Sequence, residues 1–230
     1  MVVVLKEQGL AYFIVPKSAG TSICHALHAA ITGERFDGDV QDIHTYYPTY
    51  PVGPEDFATC RPLWKFAVLR DPVKRLLSAY QNRVIDHGDL DEAFGVSLRT
   101  RFGAWRRGLS LRPGASAFFE RHDAYARYSR LVRQHTLPIH RYIGSDLSYF
   151  DALYTMADLP KLAADLSARL GQEIAFERFN EGGRPPAFQD LSPAAQRKVR
   201  ELTVGDYDLL SRYFAPPAAA PEGRGGPLRA

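Results

Sequence analysis

Residues 12–22, YFIVPKSAGTS, lead an apolar run into a turn of small and hydroxyl-bearing residues. Residues 12–15 are typical of a buried strand, and apolar positions recur at helical spacing over residues 23–31. The turn between them therefore ends at the N-terminus of a helix, where backbone N–H groups and the positive end of the helix dipole favour anions. This pattern predicts an α/β fold with an anion-binding turn.

The side chains of this turn also indicate an anion site. Lys17 adds a full positive charge, Gly20 lets the backbone approach a ligand closely, and Thr21 and Ser22 offer hydroxyl donors. The expected ligand is a phosphate or a sulfate. Because Lys17 precedes Gly20 by three residues, whereas the Walker A lysine follows its second glycine, a Walker-type kinase or ATPase fits poorly. The alternative is an ordinary strand-to-helix turn with a solvated lysine.

A second buried strand is predicted over residues 64–69, and it runs into the tripeptide Arg-Asp-Pro at 70–72. The aspartate suits the N-cap and the proline the first position of an amphipathic helix. Arg70 therefore follows the carboxyl end of a strand, where open α/β sheets bind ligands, and Ser78 lies two turns along the helix. Both can face the same crevice as Lys17.

The motifs PKSAGTS at 16–22 and RDPVKRLLSAY at 70–80 together resemble the paired signature of sulfotransferases that use 3′-phosphoadenosine 5′-phosphosulfate (PAPS). The carbohydrate-modifying branch is the most similar. The resemblance implies a P-loop-like nucleotide-binding fold in which a central parallel sheet is flanked by helices. It implies PAPS as donor, 3′-phosphoadenosine 5′-phosphate (PAP) as product, no metal, and a carbohydrate or other hydroxyl-bearing acceptor.

Carried over by position, the first motif would hold the 5′-phosphosulfate and the second the 3′-phosphate. The cofactor-binding residues that the resemblance implies are Lys17, Ser18, Ala19, Gly20, Thr21, Ser22, Arg70 and Ser78.

Sulfuryl transfer to a hydroxyl needs a base for the acceptor proton and stabilisation of charge on the departing nucleotide. Lys17 is placed for the second task. His44, between the two motifs, is the candidate base, because related uronic-acid sulfotransferases use a histidine from a closely spaced pair in the corresponding region. This chain has a single histidine there, so a loop histidine without a chemical role is the alternative. Other candidate bases are His25, His28, Glu55 and Asp56.

Composition narrows the class of protein. A chain of 230 residues with 45% hydrophobic residues can bury a core, so one domain is predicted over 1–214 and a disordered tail over 215–230. A net charge of +3 gives no indication of nucleic-acid binding. Two cysteines provide no disulfide framework, and no spacing marks a metal site.

The apolar start, residues 1–5, is too short for a signal peptide or a membrane span. A cytoplasmic location without stable membrane insertion is expected, with a trimmed domain of an anchored protein as the alternative.

An arginine-rich stretch, residues 97–133, carries nine arginines against two acids. It could steer an anionic acceptor, or its arginines could cover solvated helix faces. Other elements predicted from the pattern are an irregular region at 34–61, a mobile acceptor wall at 86–114, helices at 115–134, 159–170, 193–202 and 206–213, and a strand at 173–176.

Sulfuryl transfer from PAPS to a carbohydrate is the function that the sequence favours. A nucleotide-dependent kinase is a second enzyme hypothesis. A catalytically silent nucleotide- or glycan-binding module is the alternative from another class, and it would keep Lys17 and Arg70 without a working base.

Overall fold

The computed structural model describes residues 2–95, 98–179 and 182–218. Four strands form one sheet in the order of the chain: β1 (Val2–Leu5), β2 (Leu10–Phe13), β3 (Trp64–Leu69) and β4 (Ala152–Thr155).

The sheet is mixed, which corrects the expectation of a parallel sheet. Strands β2, β3 and β4 run parallel, with Leu10 opposite Trp64 and Phe66 opposite Ala152. Strand β1 pairs antiparallel with β2. Only residues 6–9 join these two strands, and a link this short permits a hairpin but not the crossover that a parallel pair requires. The carboxyl ends of the three parallel strands therefore meet at one edge of the sheet.

Helices surround the sheet. Between β2 and β3 lie α1 (Gly20–Thr32), α2 (Ile43–Tyr46) and α3 (Pro54–Cys60). After β3 come α4 (Pro72–Ala79), a π-helical segment (Tyr80–Asp86), α5 (Asp89–Gly95), α6 (Leu98–Arg106), α7 (Ala115–Glu120), α8 (His122–Tyr128), α9 (Arg130–Thr136) and α10 (His140–Ile143). After β4 come α11 (Leu159–Leu170) and α12 (Pro193–Leu209), and short 3₁₀ turns occupy Leu147–Tyr149, Met156–Asp158 and Phe188–Asp190.

Both faces of the sheet are buried. Leu10 and Tyr12 of β2 pack towards α1 and α11, while the alternate residues Ala11 and Phe13 pack towards α3, α10 and the end of α12. A third apolar cluster joins α4, α7, α8 and α12 beside the sheet. Strands covered on both faces have continuous apolar sequences, which is why β3 has the predicted bounds 64–69. The strand predicted over 12–15 is shifted, because β2 spans Leu10–Phe13 and residues 14 and 15 belong to the turn that follows.

The single helix predicted over 115–134 is wrong, because the structure has three helices there. Ser129 separates α8 from α9 with an extended backbone, and its hydroxyl accepts a hydrogen bond from the Val132 N–H as the N-cap of α9. A serine at such a position competes with the helix for backbone hydrogen bonds. The break turns residues 129 and 130 towards the sheet edge.

Three further expectations about elements are corrected. The two helices predicted over 193–202 and 206–213 form one continuous helix, α12, because burial on both sides of Gly205 outweighs the low helix propensity of glycine. The strand predicted at 173–176 does not form, and the Ile174 N–H donates to Ser167 Oγ of α11 at 2.8 Å instead of to a strand. The region 34–61 contains α2 and α3.

The predicted domain boundary falls just after α12. Arg200 donates hydrogen bonds to the carbonyl oxygens of Pro217 and Ala218, so residues 215–218 follow the surface of that helix. The rest of the predicted tail, residues 219–230, lies outside the described residues.

Candidate active site

A cleft of about 1120 Å³ opens at the sheet edge where the carboxyl ends of β2 and β3 meet. Both sequence motifs line it. The first provides the β2–α1 turn, residues 14–19, and the start of α1, and the second provides Arg70 and Ser78. The other walls come from the π-helical segment, the start of α9, and the chain around Phe179. The structure therefore brings Lys17, Arg70 and Ser78 to a single cavity.

The β2–α1 turn has a strained backbone. Lys17 and Ala19 adopt positive φ angles of 67° and 61°, and Ala19 is the N-cap of α1. Left-handed conformations of residues other than glycine cost about 1 to 3 kcal/mol each, and they persist where surrounding structure enforces them, often at functional sites. A turn of this kind points backbone N–H groups into one concavity, which is a common way of binding an anion. The helix N-terminus of α1 faces the same space.

Ser18 differs from its neighbours in this turn. Its side chain is fully buried, its Oγ has no hydrogen-bond partner among the described residues, and it does not line the cleft. Any contact that Ser18 makes with a ligand must therefore use its backbone. Gly20, Thr21 and Ser22 do line the cleft, as sequence position suggested.

Arg70 joins the two motifs directly. Its Nη1 donates a hydrogen bond of 2.9 Å to the carbonyl oxygen of Lys17, so the end of β3 holds the β2–α1 turn in place. Burial lowers the pKa of the Arg70 guanidinium from its ordinary value. The same cause lowers the pKa of Lys17 to about 8, with Arg83 and Arg70 adding to the fall and Asp86 opposing it. The cleft thus holds several cations at close quarters, and an anion would relieve their repulsion.

Arg83 is a cleft residue that the sequence did not reveal. It lies in the π-helical segment, and its Nε and Nη2 donate to the two carboxylate oxygens of Asp89 at 2.6 and 3.0 Å. Asp86, at the end of the same segment, accepts from Gln81 Nε2 at 2.9 Å. π-Helical turns are rare and concentrate at functional sites. No residue pattern after Ser78 signals the change from α to π geometry, so periodicity alone could not place Arg83.

His44 lies on the short helix α2 beside the β2–α1 turn. Its Nε2 is 2.9 Å from Thr21 Oγ1, and its Nδ1 is buried without a hydrogen-bond partner of normal geometry among the described residues. Burial lowers the pKa of His44 below 6.5, a backbone contact with Tyr47 opposes the fall, and Lys17 adds to it. The imidazole is therefore neutral at pH 7 and can accept a proton.

The other candidate bases lie away from the cleft lining. His25 Nε2 is 3.0 Å from the carbonyl oxygen of Val40, and its ring packs at a tilt against Phe179 with 4.3 Å between centroids. His28 packs among aromatic rings at the far side of α1. Glu55 and Asp56 are in the first turn of α3, where the Asp56 carboxylate accepts the Gly53 N–H. None of the four lines the cleft.

His135 is a second histidine of the cleft, which sequence reasoning missed. Its Nδ1 donates to the carbonyl oxygen of Leu131 at 2.9 Å, which leaves a lone pair on Nε2. Burial lowers the pKa of His135 to about 3, and Arg83 and Lys17 act in the same direction. It lies one residue past the predicted helix 115–134, and nothing in its local sequence distinguishes it from a surface histidine.

A buried network supports the second motif from behind. The fully buried Arg75 donates to the carbonyl oxygens of His135 and Leu137 at 3.2 and 2.6 Å, and it lies 3.5 Å from Asp206 of α12. The next residue, Tyr207, donates its hydroxyl to Asp71 at 3.0 Å. α12 is thereby bonded to the N-cap and to the first turn of α4.

A family model described as "Sulfotransferase family" matches residues 1–213. The chain belongs to the sulfotransferase family. It is therefore a transferase, and sulfotransferases of this family generally use PAPS as the donor of the sulfuryl group. No curated protein and no solved structure matches the chain.

Two observations on the described part of this sulfotransferase complete the description. Within residues 2–95, 98–179 and 182–218, no three His, Cys, Asp or Glu side chains are grouped so that they could hold a metal ion. No helix in those ranges is long and apolar enough to cross a membrane.

Proposed function

We propose that this sulfotransferase moves a sulfuryl group from PAPS to a hydroxyl of a carbohydrate. The observation that carries the proposal is the direct link between Lys17 and Arg70 in one cleft, where burial lowers the pKa of both cations. A volume of about 1120 Å³ is large enough for a nucleotide, since sites for small molecules commonly span about 300 to 1,000 Å³.

We assign the two ends of the nucleotide to the two motifs. The N-terminus of α1, the β2–α1 turn and Lys17 would hold the 5′-phosphosulfate, and Arg70 with Ser78 would hold the 3′-phosphate. Each charge-assisted contact of this kind contributes about 1.5 to 3 kcal/mol. Bound PAPS supplies the sulfuryl group and a stable leaving nucleotide. Lys17, at the 5′ end, stabilises the negative charge that grows during transfer.

His44 is the proposed base. Its Nε2 faces Thr21 in the first turn of α1, which we assign to the 5′ end, so on this assignment an acceptor hydroxyl would approach this nitrogen. The lowered pKa keeps the imidazole neutral, and Nε2 takes the hydroxyl proton. His135, with its free Nε2 lone pair, is the second candidate for this role.

A catalytically silent nucleotide- or glycan-binding module is the second candidate function. The enclosed position of the His44 ring favours it, because Nε2 already bonds Thr21 and Nδ1 is buried. The reversed order of Lys17 and Gly20 continues to disfavour a kinase. The cytoplasmic location also stays a prediction.

Two measurements test the proposal. Calorimetric titration should show that PAP binds at least about tenfold more tightly than ATP without magnesium, because only PAP places anions at both assigned positions. Incubation with PAPS radiolabelled in the sulfuryl group and a panel of glycans, lipids and peptides should label a glycan. Equal or tighter binding of ATP would refute the donor, and PAP binding without turnover of any acceptor would favour the silent module.

A further inference from the structure

Two large aromatic side chains of α6 are exposed side by side. Phe102 and Trp105 are 57% and 72% exposed, and their rings stack with 5.7 Å between centroids and 30° between planes. Trp105 is the more exposed of the two tryptophans of the chain, since Trp64 lies under the guanidinium of Arg169. Contiguous exposed apolar patches mark interaction sites, and aromatic rings are common in them.

Arginines lie against these rings. The guanidinium carbon of Arg106 is 5.9 Å from the centroid of the Phe102 ring, and Arg107 Nη1 donates to the Tyr128 hydroxyl at 2.8 Å. Within the described part of the chain, neither guanidinium is paired with a carboxylate, whereas Arg112 pairs with Asp91. The side chains of Arg99 and Arg101 lie outside that part. Arg106 and Arg107 therefore account for positive charge that remains available to a ligand.

A concavity of about 720 Å³ lies between this surface and Tyr128. Its lining includes Phe102, Arg106, Arg107 and Tyr128. Tyr128 also lines the larger cleft, and the next residue along the chain, Ser129, lines that cleft too. The two cavities are therefore neighbours at Tyr128, and a ligand bound at this surface lies beside the cleft.

We propose that the α6 surface, made of Phe102, Trp105, Arg106, Arg107 and Tyr128, binds the acceptor as a linear glycan that carries carboxylates. The inference rests on the proposed function, because it treats the larger cleft as the donor site. Aromatic faces pack against the C–H faces of sugar rings, and guanidinium groups bind carboxylates in a planar geometry. The concave shape and its position beside the larger cleft favour a chain-like ligand over a flat bilayer or a second copy of this protein.

The test uses Trp105 as its own reporter. In a Trp64→Phe background the only tryptophan is Trp105, so its fluorescence is followed while hexagalacturonate or neutral maltohexaose is added without nucleotide. Hexagalacturonate should quench the signal saturably, added salt should weaken the binding, and maltohexaose should bind at least about tenfold more weakly. Phe102→Ala and Arg106→Ala should each raise the Kd for hexagalacturonate about tenfold.

Arg61→Ala is the matched control. Arg61 is exposed and lies at the amino end of β3, on the side of the sheet opposite the cleft, so its loss should leave the Kd unchanged. An equal loss of affinity in Arg61→Ala and Arg106→Ala would overturn the inference, because it would indicate general charge attraction. Absence of quenching by hexagalacturonate would also overturn it.

Two other occupants give distinct results. A blue shift of Trp105 fluorescence on phosphatidylglycerol vesicles, with no response to hexagalacturonate, would assign the surface to a membrane and refute the glycan. A dimer that is seen in sedimentation and is abolished by Trp105→Ala would assign the α6 surface to self-association. That result would also refute the glycan. PAP affinity, measured by calorimetry on the same variants, should stay unchanged. If the parent protein does not bind PAP, only the donor assignment is refuted, because the glycan titration contains no nucleotide.

Discussion

The lowered pKa of Lys17 predicts that the affinity of the proposed donor site for PAP depends on pH between about 7 and 9. With a pKa of about 8, Lys17 is roughly nine-tenths charged at pH 7 and roughly one-tenth charged at pH 9. An ordinary lysine, with a pKa near 10.4, stays almost fully charged throughout this interval. If PAP binds the protein only when Lys17 carries its proton, its affinity falls about tenfold from pH 7 to pH 9, or about 1.4 kcal/mol.

Calorimetric titration of PAP at several pH values between 6.5 and 9 measures this fall. Lys17→Arg is the matched control, because a guanidinium keeps its charge throughout and its curve should be flat. A flat curve for the parent protein would refute the lowered pKa or the role of Lys17 in binding. An equal slope in Lys17→Arg would assign the titration to another group.

The lowered pKa of Lys17 also has a consequence for stability. Because the folded state disfavours the charged amine, the unfolded chain binds the proton more tightly, and Lys17 destabilises the fold below pH 8. The penalty disappears as pH rises above the unfolded pKa near 10.4. Lys17→Met should therefore raise the free energy of unfolding of the ligand-free protein by about 1 to 3 kcal/mol at pH 7 while abolishing turnover. Chemical denaturation that shows a less stable variant would contradict this expectation.

Three further predictions concern the residues around Lys17. His44→Ala should lower kcat about a hundredfold with unchanged PAP affinity. In the pH profile of kcat for the parent protein, the rise on the acid side should lie below pH 6.5, because burial lowers the pKa of His44. A rise centred above pH 7 would contradict this. Arg75→Ala should lower the free energy of unfolding, measured in urea, by about 3 to 5 kcal/mol, because it leaves Asp206 buried without its cationic partner. A decrease of less than about 1 kcal/mol would refute the stabilising role of this network. Arg70→Ala should weaken PAP binding more than it lowers kcat, with Ser78→Ala a milder version, and proportional losses of both quantities would refute the division of roles.

The part of the site that sequence predicted is the part fixed by local chemistry. A proline and a glycine around Lys17 shape the β2–α1 turn, and Asp71 caps α4 through the Lys74 N–H, as its position before a proline suggested. These features depend on residues within one turn of each other. The local sequence is therefore sufficient to predict these features.

The missed parts depend on residues far apart in the chain. His135 reaches the cleft because Ser129 interrupts the helix before it and because Arg75 holds its carbonyl oxygen. Arg83 enters through a π-helical segment that periodicity does not distinguish from an α-helix. The strand predicted at 173–176 failed for a similar reason, since its apolar residues pack against the core without joining the sheet.

The contacts between α12 and α4 can form only after α12 has been synthesised. Ribosomes synthesise the chain from its N-terminus, so every residue of both sequence motifs emerges more than a hundred positions before Asp206 and Tyr207. Until those two arrive, Arg75 has no carboxylate partner and Asp71 lacks the Tyr207 hydroxyl. A nascent polypeptide that lacks α12 therefore carries the second motif without these two contacts. Synthesis of α12 is therefore the step at which the start of α4 acquires its buried carboxylate and its tyrosine hydroxyl contact.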